Sequence, residues 1–153
     1  QDLVAQGLIQ KDSRNAPYTL TEQGEALRPA VYELIRWSYL NNLGTQPEES
    51  PNPRWDLLTL QALQRSDPPK RFHKTINLTL ETVPFHLVAK TGQLSIALEH
   101  SAVSAAHVQA SHAAFRQYCQ NKEVELAAEL HVEGEQKAAL TVLRLFQMPH
   151  SIR

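Results

Sequence analysis

The sequence predicts an α+β fold in two parts, on three observations. Near the start, two short segments typical of strands lie between two segments typical of helices, all within residues 1–43. Between Ile76 and Leu98, apolar and polar residues alternate in three successive segments, which is the period of half-buried strands. Residues 135–147 carry apolar side chains at helical spacing. We therefore expect a small amino-terminal unit followed by an antiparallel-rich sheet packed with helices.

The first segment reads as helix, strand, turn, strand and helix. Gly7 ends a short helix, because glycine adopts a positive φ without steric cost. Strands are predicted at Leu8–Lys11 and Tyr18–Leu20, with a polar turn between them. Thr21 is placed to cap the next helix, and Glu25 puts acid in its first turn. The result is a two-stranded wing between two helices.

A longer amphipathic helix is predicted from Thr21 to about Asn42. Pro29 interrupts the pattern and is expected to bend the helix or to mark a restart. Its apolar face fits two interpretations equally well, which are packing in the core and contact with a second copy in a homodimer. The residues expected at such a dimer contact are Val31, Leu34, Ile35 and Trp37.

A change in composition predicts a domain boundary. Residues 44–54 are rich in proline and polar residues and offer almost nothing to bury, which is typical of a linker. A new apolar pattern begins at Trp55. The predicted organisation is therefore an amino-terminal unit over 1–43, a linker over 44–54 and a second domain over 55–153.

The second domain is predicted to contain helices and strands in a defined order. The three alternating segments between Ile76 and Leu98 favour an antiparallel meander, and the segment 106–111 is ambiguous. The remaining predicted elements are a helix over Trp55–Leu63, a helix capped by Ser111 and running to Asn121, a strand and turn over Leu130–Gly134, and a final helix over Glu135–Gln147.

Composition excludes several classes of protein. The formal net charge of −1 does not favour nucleic-acid binding, and no apolar run approaches the roughly 18 residues of a membrane span. Cys119 is the single cysteine, so no internal disulfide forms, and we expect it to pack as a small hydrophobe. These features indicate a globular protein, and we expect a cytoplasmic location and no membrane partner.

The sequence offers little support for catalysis. It contains no glycine-rich phosphate loop, nucleophile elbow or cysteine pair. His107 and His112 share neither a helical nor a strand face, while His73 and His86 are expected to face each other from separate strands without a carboxylate nearby. We expect no metal site, no cofactor and no enzymatic activity.

The amino-terminal pattern resembles the HxlR-type and MarR-like bacterial transcription regulators. The residues that carry the resemblance are Leu3, Gly7, Leu8, Ile9, Tyr18, Leu20, Thr21, Gly24, Leu27 and Trp37. In that family this pattern follows the DNA-reading helix, so residues 1–43 would be a partial winged helix. The resemblance implies duplex DNA as a partner in the full-length protein, with Lys11 and Arg14 beside the wing as contacts to the backbone or minor groove.

The second domain resembles the sterol carrier protein type two family. The resemblance is carried by Val108-Gln109-Ala110 before a helix with Phe115, by 128–135, which matches "Gly-x-Leu-x-Val-x-Gly-Asp" in part, and by the final apolar helix. That fold encloses an apolar tunnel, whose candidate lining here is Phe72, Phe85, Leu87, Phe115, Tyr118 and Phe146. His86 and Tyr118 would then orient a ligand head group. The alternative is that these side chains fill an ordinary core.

These observations together predict a bacterial transcription regulator with a sterol-carrier-like domain that senses a small apolar ligand. Ligand binding would change the spacing of two winged helices in a homodimer. Two alternatives stay open, namely a lipid- or sterol-carrying protein and a dimerisation module without a ligand.

Overall fold

The computed structural model describes residues 2–13, 15–41, 43, 52–120 and 130–147. The helices are α1 (Asp2–Ala5), α2 (Glu22–Ala26), α3 (Arg28–Leu40), α4 (Pro53–Leu63), α5 (His112–Gln120) and α6 (Gln136–Leu143). The strands are β1 (Ile9–Gln10), β2 (Thr19–Leu20), β3 (Lys74–Leu80), β4 (Val83–Lys90), β5 (Gln93–Leu98), β6 (Ala106–Ala110) and β7 (His131–Gly134). The described residues thus form an α+β fold.

Five strands form one mixed sheet in the order β5-β4-β3-β6-β7. Strands β3, β4 and β5 make the predicted antiparallel meander. The segment 106–111, which the sequence left undecided, contains β6, and this strand pairs in parallel with β3 so that Leu78 faces Val108. Strand β7 then pairs antiparallel with β6 at the other edge. The sheet therefore contains one parallel pair among antiparallel ones.

Helices cover one face of this sheet. In β3 and β4 the buried and less buried side chains alternate, and Ile76, Leu78, Phe85 and Leu87 point to the helix-covered face. Helices α4, α5 and α6 pack on that face. The opposite face, here called the open face, carries polar side chains such as Asn77. The core thus lies between the sheet and the helices.

The amino-terminal segment forms a two-stranded antiparallel sheet, β1 with β2, in which Ile9 faces Leu20. Gly7 adopts a φ of +69°, as expected of a glycine that ends a helix. The hydroxyl of Thr21 accepts a hydrogen bond of 3.1 Å from the main-chain N–H of Gly24 and so caps α2. The predicted strands and cap are confirmed, although this hairpin alone does not define a winged helix.

The predicted long helix after Thr21 is divided into α2 and α3. The break falls at Leu27, and Pro29 occupies the first turn of α3, where its missing N–H costs nothing. Helix α3 packs against α4, and Tyr39 belongs to the main core. The stretch around Pro29 is therefore a helix restart rather than a bend.

Two other predicted boundaries differ. Helix α4 begins at Pro53, inside the predicted linker, because the Asn52 side chain caps it and proline suits the first helical turn. The final predicted helix ends at Leu143 and continues as a 3₁₀ turn, Arg144–Phe146. No helix in the described part of the chain has the length and apolar character needed to cross a bilayer.

Candidate ligand-binding site

Five of the six predicted lining residues meet in the core. Phe85 and Leu87 come from β4, Phe115 and Tyr118 from α5, and Phe146 from the final 3₁₀ turn, and none is more than 2% exposed. The rings of Phe115 and Phe146 make an edge-to-face contact with centroids 5.7 Å apart. The structure therefore assembles these side chains under the sheet.

Phe72, the sixth predicted lining residue, is less buried than the other five. It precedes β3 and is only partly buried, at the margin of the core. It packs against the core rather than within it, because it belongs to a turn and not to a strand or helix. Its position is that of a residue at the edge of the interior.

The hydroxyl of Tyr118 is the polar atom in this apolar interior. It is buried and has no hydrogen-bond partner among the described residues. Burial raises the pKa of Tyr118 to about 12, and the guanidinium of Arg144 partly opposes that rise. An unpaired buried hydroxyl costs about 1–3 kcal/mol, because it gives up water without a replacement. A ligand oxygen at this point would recover that hydrogen bond.

His86 does not contribute to this interior. It follows Phe85 and precedes Leu87 in β4, so strand alternation places it on the open face. Its Nδ1 donates to the main-chain carbonyl of Glu99 at 2.9 Å. The prediction that His86 orients a ligand head group together with Tyr118 is wrong, because the two side chains lie on opposite faces of the sheet.

A polar cluster joins the three helices α3, α4 and α5. Its members are Tyr39, Asp56, His112 and Arg116. The Tyr39 hydroxyl donates to the main-chain carbonyl of His112 at 3.1 Å, and the Arg116 guanidinium lies 5.1 Å from the Tyr39 ring centroid. His112 Nε2 lies 3.5 Å from Asp56 Oδ1. No local motif marks this cluster, since its members are scattered over the chain.

This cluster retains unused hydrogen-bonding capacity. Asp56 Oδ2, His112 Nδ1 and Arg116 Nε are buried and have no hydrogen-bond partner among the residues described. Burial raises the pKa of Asp56, and the neighbouring His112 works in the opposite direction. The cluster ties α5 to α3 and α4 and supplies a polar boundary to the apolar core.

The predicted histidine pair is not formed. The register of β3 with β4 places Asn77, not His73, opposite His86. His73 lies before β3, and its Nε2 is 3.2 Å from the carbonyl oxygen of Lys70. Within the described ranges, no three His, Cys, Asp or Glu side chains are arranged to hold a metal ion.

Of the two residues predicted to contact DNA, only Lys11 lies among the described residues. Lys11 is exposed beside the hairpin, and its ammonium lies 5.1 Å from the centroid of the Tyr18 ring. Arg14 lies outside the described residues. The structure therefore places Lys11 beside the β1–β2 hairpin, and its contact with DNA stays a prediction.

Three of the four residues predicted at a dimer contact are exposed. Val31, Leu34 and Trp37 are 43%, 67% and 59% exposed, and they lie on the side of α3 opposite to Arg36 and Tyr39. The fourth, Ile35, is half-buried because it lies closer to the buried side of the helix.

Comparisons with known proteins give structural similarities alone, since no protein-family model and no curated protein matches the chain. The stereoselective inverting sec-alkylsulfatase Pisa1 from Pseudomonas sp. is similar over 65% of this chain, with a TM-score of 0.50 and 15% identity. A double mutant of the same alkylsulfatase is similar over 61%, again with a TM-score of 0.50 and 15% identity. The chain spans only 17% and 16% of these two structures.

A third solved structure, the ubiquinone synthesis protein UbiJ-SCP2, matches 78% of this chain and 95% of its own, with 16% identity and a TM-score of 0.41. At these identities the alkylsulfatases show a shared fold and nothing more, and the third similarity is too low to support an argument. The mixed five-stranded sheet with helices on one face is compatible with the sterol-carrier-like fold predicted from the sequence.

The expectation that the chain is not enzymatic is contradicted by these comparisons. Two of the structures with this fold belong to an alkylsulfatase, which is an enzyme. The expectation relied on missing local motifs, and catalytic groups are assembled from distant parts of a chain. The absence of such motifs therefore does not exclude an enzyme.

Proposed function

We propose that this chain is a sterol-carrier-like protein that binds an amphiphilic molecule between the sheet and helices α5 and α6. The apolar part of the ligand would lie among Phe85, Phe115 and Phe146, and its head group would accept a hydrogen bond from Tyr118. This proposal corresponds to the lipid-carrier alternative, in preference to a function in transcription.

The observation that carries the proposal is the Tyr118 hydroxyl, which has no hydrogen-bond partner among the described residues. Nearly all buried polar groups in proteins have such a partner, so a hydroxyl that is buried among apolar side chains and finds none in the described part of the chain calls for a physical reason. A ligand oxygen supplies that reason, since it would pair with the hydroxyl only in the complex.

The surroundings of Tyr118 favour a particular head group. Arg144, in the adjacent 3₁₀ turn, is exposed and close enough to lower the pKa of Tyr118. A head group with an oxygen acceptor and negative charge would interact with both the hydroxyl and the guanidinium. Carboxylates and sulfates on an apolar chain meet this description.

Thermal shift against a panel of ligands tests the proposal. The panel contains hexadecanoic acid, a secondary alkyl sulfate, cholesterol and 2-naphthoic acid; the alkyl sulfate is included because two of the structures with a similar fold are of a sec-alkylsulfatase. We expect one of the two anionic amphiphiles to raise the Tm of the unmodified protein, and to raise the Tm of Tyr118→Phe by less. A ligand with the same apolar chain but no head group should change the Tm of both proteins equally.

A second variant fills the proposed space. Ala139→Phe adds bulk to a fully buried position of α6, and Ala89→Phe does so from β4 if the first variant fails to fold. Ala113→Phe is the matched control, because Ala113 is exposed on α5. Loss of the ligand effect in the buried variants alone supports the proposal, whereas no shift with any ligand in the unmodified protein rejects it.

A second candidate function is DNA binding by residues 1–43 as part of a ligand-responsive transcription regulator. It is favoured by the β1–β2 hairpin between two helices, with Lys11 exposed beside it. Fluorescence anisotropy with duplex DNA at increasing salt tests it. The chain should bind duplex DNA weakly and without sequence preference, and Lys11→Ala should reduce the slope with which the logarithm of the DNA affinity falls as the logarithm of the salt concentration rises. An unchanged slope removes Lys11 from the interface.

We also propose that the exposed apolar side of α3 contacts a second copy of the chain. Leu27, Val31 and Leu34 follow one another at helical spacing on that side. A helix stripe of this kind is self-complementary about a two-fold axis, which is the geometry of most homodimers.

A further inference from the structure

The connection between β5 and β6, residues Glu99–Ala105, is attached to the open face of the sheet by side chains from two strands. We call this connection the strap. Asn77 on β3 holds the strap through both main-chain polar groups of Ser101. Its side chain donates to the main-chain carbonyl at 3.0 Å and accepts from the main-chain N–H at 2.9 Å. His86 on β4 donates to the carbonyl of Glu99 at 2.9 Å. Asn77 is 8% exposed, so these hydrogen bonds are shielded from water.

A third attachment is made by the Thr79 hydroxyl, which forms hydrogen bonds with two histidines. The Thr79 hydroxyl lies 3.0 Å from Nε2 of His100 on the strap and 2.9 Å from Nε2 of His107 on β6. A hydroxyl has one proton to donate. The hydroxyl therefore bridges both imidazoles well when it donates to one Nε2 and accepts the N–H of the other.

Protonation of both imidazoles would weaken this bridge. Two N–H groups would then point at Thr79, and while its oxygen can accept both, the hydroxyl proton would lose its imidazole acceptor. The two rings are also only 4.7 Å apart between centroids, so two positive charges would repel each other. Both effects are relieved when the strap carries His100 away from the sheet.

The open face and the strap carry other charged groups. His86 on β4 is a further imidazole near His100, Lys90 lies at the far end of the same strand, and Glu99 of the strap precedes His100 with an exposed side chain. Strand β7 places Glu133 opposite His107, but its carboxylate is 3.1 Å from His131 and largely exposed. Strand β3 contributes the uncharged Asn77 and Thr79. A positive charge on His100 is therefore not matched by a buried anion among the described residues.

We propose that the strap is a pH-sensitive latch, attached to the open face near neutral pH and released when the His100–Thr79–His107 bridge becomes doubly protonated. Release would uncover Asn77 and the half-buried polar side chains beneath the strap. The latch is independent of the proposed ligand site, which lies on the other face of the sheet.

The pKa of His100 agrees in direction with this geometry. Partial desolvation of this exposed imidazole lowers the pKa of His100 below its ordinary value of 6.5, and the neighbouring His107 lowers it further, while the backbone of Leu78 opposes the change. The charged form is therefore disfavoured with the strap attached. Because the attached strap disfavours protonated His100, protonation of His100 favours detachment of the strap. Acidification therefore shifts the equilibrium towards the detached strap.

Amide hydrogen exchange of Ser101 tests the latch, because this N–H bonds to Asn77 only when the strap is attached. After correction for the intrinsic exchange rate, we expect its protection to fall at least tenfold between pH 7.5 and pH 5.0. His100→Gln, which retains a hydrogen-bonding side chain but does not titrate, should keep its protection at pH 5.0.

Two control variants make the result decisive. His73→Gln removes an exposed histidine outside this face and should behave like the unmodified protein. Asn77→Ala should show low protection at both pH values, which establishes that the amide reports release. The proposal is overturned if the unmodified protein keeps its protection at pH 5.0, or if His100→Gln loses protection to the same extent as the unmodified protein.

Discussion

Gly24 of α2 lies directly against the main-chain carbonyl of Leu8. A Cβ built on Gly24 would be 2.0 Å from that oxygen, far inside van der Waals contact, and 3.1 Å from a methyl carbon of Leu20. The same Leu8 carbonyl accepts a hydrogen bond of 3.1 Å from the N–H of Thr21. The absence of a side chain at Gly24 thus allows α2 to pack on the hairpin.

Gly24→Ala should separate α2 from the hairpin, because the Leu8 carbonyl belongs to the main chain and cannot rotate away. We expect a local destabilisation of about 1–3 kcal/mol, as for other overpacked sites. Amide exchange of Thr21 measures it. Gln23→Ala, at an exposed neighbour, is the control, and equal protection in both variants would contradict the close contact.

Tyr118→Phe should leave the ligand-free protein as stable as before, or stabilise it by about 1 kcal/mol, because it removes a buried hydroxyl that has no partner among the described residues. Urea unfolding measures this difference. Tyr39→Phe is the informative comparison, since that hydroxyl does donate to His112 and its loss should destabilise. A clear loss of stability in Tyr118→Phe would mean that its hydroxyl is satisfied in the free protein.

Cys119 should be unreactive in the folded protein. Its side chain is 1% exposed, and burial raises the pKa of its thiol to about 12, so the reactive thiolate is scarce near neutral pH. Reaction with Ellman's reagent at pH 8 should follow the rate of unfolding and accelerate in urea. Rapid modification of the folded protein would show that α5 opens locally.

Leu34→Glu should weaken association of two chains if α3 forms the proposed contact. Leu34 is 67% exposed, so a charge there should have little effect on the fold of one chain but should be costly when desolvated in an interface. Sedimentation at micromolar concentration should show a dimer that shifts towards monomer. Ala113→Glu, on the exposed side of α5, serves as the control. A monomeric unmodified chain would reject the contact.

Stability should depend on pH through His100. Its folded-state pKa lies below its ordinary value of 6.5, so its contribution is fully present above that value and is lost as the pH falls through the lowered pKa. Urea midpoints between pH 7.5 and pH 5.0 should therefore decline more in the unmodified protein than in His100→Gln. Equal declines would indicate that other groups account for the acid sensitivity.

Several elements could be read from the sequence because a few neighbouring residues encode them. The cap at Thr21 and the helix end at Gly7 each depend on one residue and the backbone next to it, and Pro29 marked an interruption that the sequence left open as a bend or a restart. The antiparallel meander could be predicted because polar and apolar residues alternate in three successive segments. These features need no knowledge of what packs against them.

The tertiary structure decided what distant segments do together. The parallel pairing of β6 with β3 and the contact of α3 with α5 join residues that are far apart in sequence, so local periodicity does not indicate them. For the same reason the Tyr39–His112 contact and the strap held by Asn77 and Thr79 could not be predicted. Burial and hydrogen bonding across the whole chain select such contacts, whereas local preference selects only the helices and strands that make them.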